Sequence, residues 1–302
     1  MANITVTEAA GFIPEIWAAS ALGALRANTV MLNLVNRNFE NLIANHGDII
    51  NVPRRGTITV NDKVANTSIT LQTPSADTIA LTLNKYKEVS FLVEDIAKAQ
   101  ANQDIIMGYI IDGIIAMGHQ IDDDILALYS GFSTTPLDAT SGSGGVVVNT
   151  IIEAQRLFNK ALVPTEGRNI VWGEDAQAEL LKLNQFTNAQ WDPGNANALS
   201  NATLGRKYGF THYMDQRVVQ TGGEVKNLAF HRDAIMLATR PLPLPPAGTG
   251  VTASVMSENG LGIRAMYGYD IRLKGMVVSL DMLYGVAEMR DNHGLVIRST
   301  DI

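Results

Sequence analysis

Cysteine is absent from this chain of 302 residues. Its absence excludes disulfides, a thiolate nucleophile and any cysteine-ligated zinc, so stability beyond the core must come from packing or assembly. Charge is scarce as well, at 18% of residues, and its balance of −7 gives no general attraction to phosphate. Sequence-specific nucleic-acid binding through a basic face is therefore not expected. No apolar run approaches the roughly 18 residues of a membrane span, and the first basic residue is Arg26, so neither a standard export signal nor a transmembrane helix is expected. What remains is a 46% hydrophobic composition, enough for a sizeable core in one continuous but subdivided body.

Along the chain, residues 15–25 have helical composition behind Pro14 and read as a docked arm. A short apolar stretch, 30–35, follows. Residues 49–93 then read as a polar β-ribbon, with strands expected at 49–52, 57–60, 78–83 and 89–93 and an exposed tip at 61–76 rich in Asn, Thr, Ser and Asp. A ribbon of this kind has little core of its own, which implies support from other copies of the chain. From about 95 to 129 the spacing predicts a helix: Ile106, Ile110, Ile114, Met117, Ile121, Ile125 and Leu128 recur at steps of three and four. Such a rod would be roughly 50 Å long. A flexible connector at 130–145 precedes a helix capped by Asn149 and running to about 162. A buried strand at 169–172 and a helix at 174–183 make a small α/β unit. Residues 185–201 read as a long polar loop, 208–214 and 227–230 as strands, 240–246 as an extended proline-rich segment, and 251–298 as mainly β.

No motif carries chemistry. Gly260-Leu261-Gly262-Ile263-Arg264-Ala265 matches a dinucleotide fingerprint by letter, but strand-like residues follow it where a helix N-terminus is needed. Asp122, Asp123 and Asp124 are consecutive, so on a helix they diverge and read as a solvated face, not as a metal site. The five histidines (His46, His119, His212, His231 and His293) show no ligand spacing. Catalytic residues, cofactors and metals are accordingly expected to be absent. The candidates are instead for subunit contact: Arg54 and Arg55, with Lys85 and Lys87 on the expected return strand, would gather four cations near one end of the ribbon, with Glu94 close by. Such a patch is either internally paired and solvated or an ion-pair contact between subunits.

Several segments together resemble the major capsid proteins of tailed bacteriophages: Phe12-Ile13-Pro14-Glu15-Ile16-Trp17, Leu34-Val35-Asn36-Arg37-Asn38-Phe39-Glu40, Gly47-Asp48-Ile49-Ile50-Asn51-Val52-Pro53, Val93-Glu94-Asp95-Ile96-Ala97, Ala229-Phe230-His231-Arg232-Asp233 and Asp281-Met282-Leu283-Tyr284-Gly285. The likeness runs from about residue 10 to 298. It implies an α+β fold of the Hong Kong 97 type: an N-terminal arm (1–46), an extended loop (47–93), a peripheral domain on a spine helix (94–165), an axial domain (166–255) and C-terminal strands returning to the peripheral domain (256–302). It implies a coat protein, not an enzyme, that assembles with itself into hexamers and pentamers of an icosahedral virion shell around double-stranded DNA, contacted non-specifically. Assembly would take place in the bacterial cytoplasm with portal, scaffolding and decoration proteins as partners and no membrane. Because the chain begins at the arm, a separate scaffold or self-assembly is expected. Some members crosslink a lysine to an asparagine; Lys63 near the tip and Asn292 near the C-terminus are the matching types, but no carboxylate is evident beside them. Another virion part, such as a tail tube subunit, and an enzyme with an unrecognised site are the alternatives.

Overall fold

The apolar stripe becomes the longest helix of the computed structural model, α1 (Asp104–Leu126), which tightens into a 3₁₀ turn at Ala127–Gly131. The structure describes residues 25, 29–38, 49–55, 58–73, 76–95, 104–140, 145–187, 204–246, 248–258 and 261–301. Ile110, Ile114, Met117, Ile121 and Ile125 are buried as the spacing requires. The expected arm helix, apart from buried Leu25, and most of the 185–201 loop lie outside the described residues.

Strands β1 (Ile49–Arg55) and β2 (Ala76–Thr82) form an antiparallel two-stranded ribbon. Strand β3 (Lys85–Glu94) leaves it and joins another sheet. Beyond α1 come β4 (Leu137–Ala139), α2 (Val148–Lys160), β5 (Arg168–Trp172), α3 (Glu174–Leu181) and a single turn, α4 (Asn184–Thr187). Then follow β6 (Arg206–Lys207), β7 (Phe210–Met214), β8 (Gln220–Thr221), β9 (Glu224–His231) and β10 (Ile235–Arg240). Three long strands and a last one close the chain: β11 (Val251–Glu258), β12 (Leu261–Asp270), β13 (Gly275–Glu288) and β14 (Gly294–Thr300).

Two sheets share the work. One runs β10-β13-β12-β11, with β3 antiparallel to β13 from Lys85↔Tyr284 to Glu94↔Gly275. The other runs β4-β14-β9-β5-β7-β6, with β8 on β9, and is mixed because β4/β14 and β5/β7 are parallel. Helix α1 lies against the first sheet, and its Gly113 makes the approach possible. A Cβ there would stand 2.7 Å from Val89 Cγ1 on β3, closer than two carbons can pack.

Three expectations fail locally. The connector at 130–145 is not wholly irregular, since Leu137–Ala139 docks beside β14 as β4. Asn149 does not cap α2: the helix already begins at Val148, and Val147 at its cap makes no side-chain hydrogen bond. Residues 58–60 are not strand, although their letters alternate.

The second sheet holds a buried polar pair that sets a pH dependence. Trp172 Nε1 donates to His212 Nδ1 at 2.9 Å, and the opposite ring nitrogen, Nε2, faces the Lys207 carbonyl at 3.2 Å. Both bonds together require the neutral imidazole with its proton on Nε2. Burial pushes the His212 pKa down to about 4. The unfolded chain, with an ordinary histidine near 6.5, thus takes the proton first on acidification. The contribution is complete above about pH 6.5 and is lost as pH falls toward 4. Between pH 7 and 4.5 the loss is about 2.5 kcal/mol. Denaturant titrations at both pH values should show a smaller acid loss in His212→Gln than in the parent chain.

Candidate assembly surface

Alternation builds the base of the ribbon. Ile50 and Val52 on β1, with Leu81 on β2 and Leu83 just beyond it, turn one way and are buried; Asn51, Ala80 and Thr82 turn to solvent. The inward set packs on Met236 and Ala238 of β10, flanked by Leu283 and Ala287 of β13. Gly285 lets the backbones cross, since a Cβ there would lie 2.2 Å from the Thr82 carbonyl oxygen. The ribbon therefore has an anchored base with an apolar core inside its own subunit. That corrects the expectation that its support is external throughout.

Past Arg55 the chain changes character. Residues 58–73 contain no strand, and all of them are exposed. Thr59 still faces Gln72, but the Gln72 side chain replaces a backbone partner: its Oε1 accepts from the Thr59 N–H at 3.0 Å, and its Nε2 donates to the Thr59 carbonyl at 2.5 Å. Lys63 Nζ ties the turn by donating to the carbonyls of Val64, at 2.6 Å, and Thr67. On this frame Ile58, Val60, Val64, Ile69 and Leu71 point into solvent, Val60 at 98% and Leu71 at 85% exposure. Five large apolar side chains on an unpaired segment is a surface built to be covered.

The four cations do not gather. Arg54 lies opposite Asp77 and Arg55 opposite Ala76, toward the outer end of the ribbon. Lys85 and Lys87 belong to β3, opposite Tyr284 and Met282, and Glu94 sits at its far end, about 30 Å away along a ten-residue strand. The chain changes sheets at Leu83-Asn84, so β3 is not the ribbon's return strand. Lys85 is committed to Asp124 at 3.1 Å. Arg54 also reaches His293 electrostatically: burial first, then Arg290 and His231, and least of all Arg54, push that histidine down to about 4 against the opposing effect of Asp233. Asn292 is exposed near β14 and Lys63 is on the tip, with no carboxylate bonded to either side chain among the described contacts.

The triplet Asp122-Asp123-Asp124 is not a solvated face. Acids in the last turns of a helix oppose its dipole and need compensation. Each finds its own: Asp122 accepts the Val30 and Met31 N–H groups at 2.9 and 3.2 Å, Asp123 pairs with Arg217, and Asp124 accepts Tyr284 Oη at 2.6 Å beside Lys85. Sequence reasoning also missed Asp281, a buried carboxylate on β13. It is gripped by Arg264 Nε on β12 at 3.0 Å and by Tyr86 Oη on β3 at 3.1 Å. Arg264 also donates to the Pro243 carbonyl at 2.5 Å, which fixes the proline-rich segment to the sheet. A lone acid in the apolar run Met276–Ala287 opposite a lone arginine was the available signal.

No helix among the described residues is long and apolar enough to cross a membrane, and no group of three metal-ligating side chains occurs among them. Of the dinucleotide-like letters, Leu261 to Ala265 fall in strand β12, without the helix a pyrophosphate needs, and Gly260 lies outside the described residues.

The sequence matches the model of a family described as phage capsid protein over residues 43–241, about two thirds of its length. No curated protein matches it. Among solved structures, one from Mycobacterium phage Che8 superposes with a TM-score of 0.67 at 21% identity, covering 89% of this chain and 90% of that one. The capsid structure of cyanophage P-SCSP1u gives 0.66 at 12% identity over 91% and 89%. The capsid of Ralstonia phage GP4 gives 0.62 at 10% over 89% and 87%.

Proposed function

The chain belongs to the phage capsid protein family, with the Hong Kong 97-type α+β fold of a tailed-phage major capsid protein, and from that premise we propose how it builds a shell. Family and fold are structural, not enzymatic, and place the protein in the virion. In our reading it self-assembles into hexamers and pentamers of an icosahedral head enclosing double-stranded DNA. A net charge of −7 is compatible with that, since packaged DNA is confined by the wall and carries its own counterions.

The observation that carries the proposal is the contrast between the ribbon's two ends: a base locked into its own subunit by an apolar core, and a tip whose apolar side chains its own subunit leaves bare. A rigid lever with an uncovered end suits contact with a neighbouring copy. The division into arm (1–46), extended loop (47–93), peripheral domain (94–165), axial domain (166–255) and C-terminal strands (256–302) is part of the same proposal. So are the contact roles of Lys63 on the tip, of Arg54 and Arg55 beyond the anchored base, and of Lys87 and Glu94 on β3, whereas Lys85 serves its own subunit through Asp124. Scaffolding, portal and decoration partners, and assembly in the bacterial cytoplasm, are proposed with it.

Negative-stain microscopy of the full chain expressed alone and with a candidate scaffold tests the reading. Closed polyhedral shells are expected in at least one case; tubes, or dispersed particles in both, would overturn it.

A further inference from the structure

Between the segment 29–38 and the C-terminal half of α1 lies a cavity of about 460 Å³ lined by Val30, His119, Asp122, Asp215, Gln216 and Arg217. Two of its carboxylates are withdrawn from water: Asp122 is 1% exposed and Asp215, just beyond β7, is 6% exposed. Asp122 caps the 3₁₀ turn Met31–Asn33 by accepting the Val30 and Met31 N–H groups. Asp215 Oδ1 accepts the Arg217 N–H at 2.9 Å, but its Oδ2 is buried with no protein partner.

Charge compensation in this pocket is incomplete. Its single guanidinium, Arg217, is already paired with Asp123 through Nε at 2.8 Å and through Nη2. Segment 29–38 meets Asp122 through the Val30 and Met31 N–H groups, and His119 is the one further titratable group on the cavity wall among the described residues. Two buried carboxylates without a free cation cannot both stay ionised without strain on the closed arrangement.

We propose that this pocket is a proton-dependent latch: Asp122 and Asp215 hold one proton between them while the 29–38 segment is seated on α1, and release it when the turn lifts and water enters. The electrostatics agree in direction. Burial, with Asp215 adding to it, pushes the Asp122 pKa up to about 7 against the opposing effect of its backbone bonds, and burial likewise raises Asp215. An acid held more tightly protonated when closed stabilises closure fully below its ordinary pKa near 4, and that stabilisation is lost as pH rises toward 7. The seat is thus firmest in acid and loosest at and above neutrality.

Hydrogen exchange on the full-length unassembled chain tests this, followed by mass spectrometry of peptides covering 29–38 and corrected for intrinsic exchange. Protection should fall at least about tenfold between pH 5 and 7 and level off above about pH 8, while peptides from β14 do not follow. Asp122→Asn, which mimics the protonated acid, should flatten the profile, and Asp215→Asn should make it shallower. Should Asp122→Asn fail to fold, Asp215→Asn alone decides. Protection of 29–38 that is constant from pH 5 to 7, or that falls as steeply in Asp215→Asn, would overturn the proposal.

Discussion

Deleting residues 63–75 leaves a folded subunit that no longer yields closed shells. The reason lies in how the ribbon divides. Among the described residues, what secures it to its own subunit sits at or before Arg55 and from Ala76 on: the seven-pair register, the apolar contact with β10 and β13, and the backbone crossing at Gly285. The described residues of the deletion, 63–73, add no intrasubunit burial, so the chain forfeits little stability by losing them. A two-stranded ribbon is marginal in water without further packing, and this one keeps its packing at the base. What disappears is the apolar group Val64, Ile69 and Leu71, together with the Lys63 turn. If a neighbour covers those side chains, every contact in a shell loses them at once, and per-contact losses of a few kcal/mol accumulate over the lattice. The measurement is sedimentation of assembled particles beside thermal unfolding of the subunit. An unchanged melting transition with shell yield near zero is expected. Wild-type shells from the deletion would sink the assembly role of the tip, and an unfolded subunit would show that the tip supports its own chain.

The parts of this structure that were legible in the sequence are those governed by a single local period. The α1 stripe is such a case, because steps of three and four place Ile110, Ile114, Met117, Ile121 and Ile125 on one face whatever that face meets. The inward set Leu81 and Leu83, and the uniformly buried β5, are others. Partnership was not legible. Strands β2 and β3 both alternate, separated by two residues, and nothing in Leu83-Asn84 announces that one pairs with β1 and the other with β13, nearly 200 positions on. The misplaced Lys85 and Lys87 follow from that single step. Likewise, three consecutive aspartates look solvated to any local rule. Their burial depends on Val30, Arg217, Tyr284 and Lys85 arriving from elsewhere in the chain.

Replacing Ile114 with aspartate abolishes cooperative folding or lowers stability by well over about 3 kcal/mol. Ile114 is 1% exposed and belongs to the core that joins α1 to both the 29–38 segment and the first sheet. Truncating such a residue to alanine alone costs about 2–5 kcal/mol through lost transfer energy and the cavity left behind. Aspartate adds the burial of a carboxylate. The core around Ile114 is apolar, so the new charge finds no partner and must be neutralised by protonation or by local unfolding. Against a total stability of about 5–15 kcal/mol for a typical domain, either route removes a large fraction. Because α1 presses on β3 at Gly113, one residue away, the helix cannot shift outward without giving up that contact as well. Ile111, one turn earlier at the water-facing edge of the stripe and 40% exposed, provides the control: Ile111→Asp leaves the same charge within reach of water and should cost under about 1 kcal/mol. Circular dichroism melts of the two variants give the comparison. Equal melting temperatures for Ile114→Asp and Ile111→Asp would mean that the stripe is not the load-carrying face of the spine.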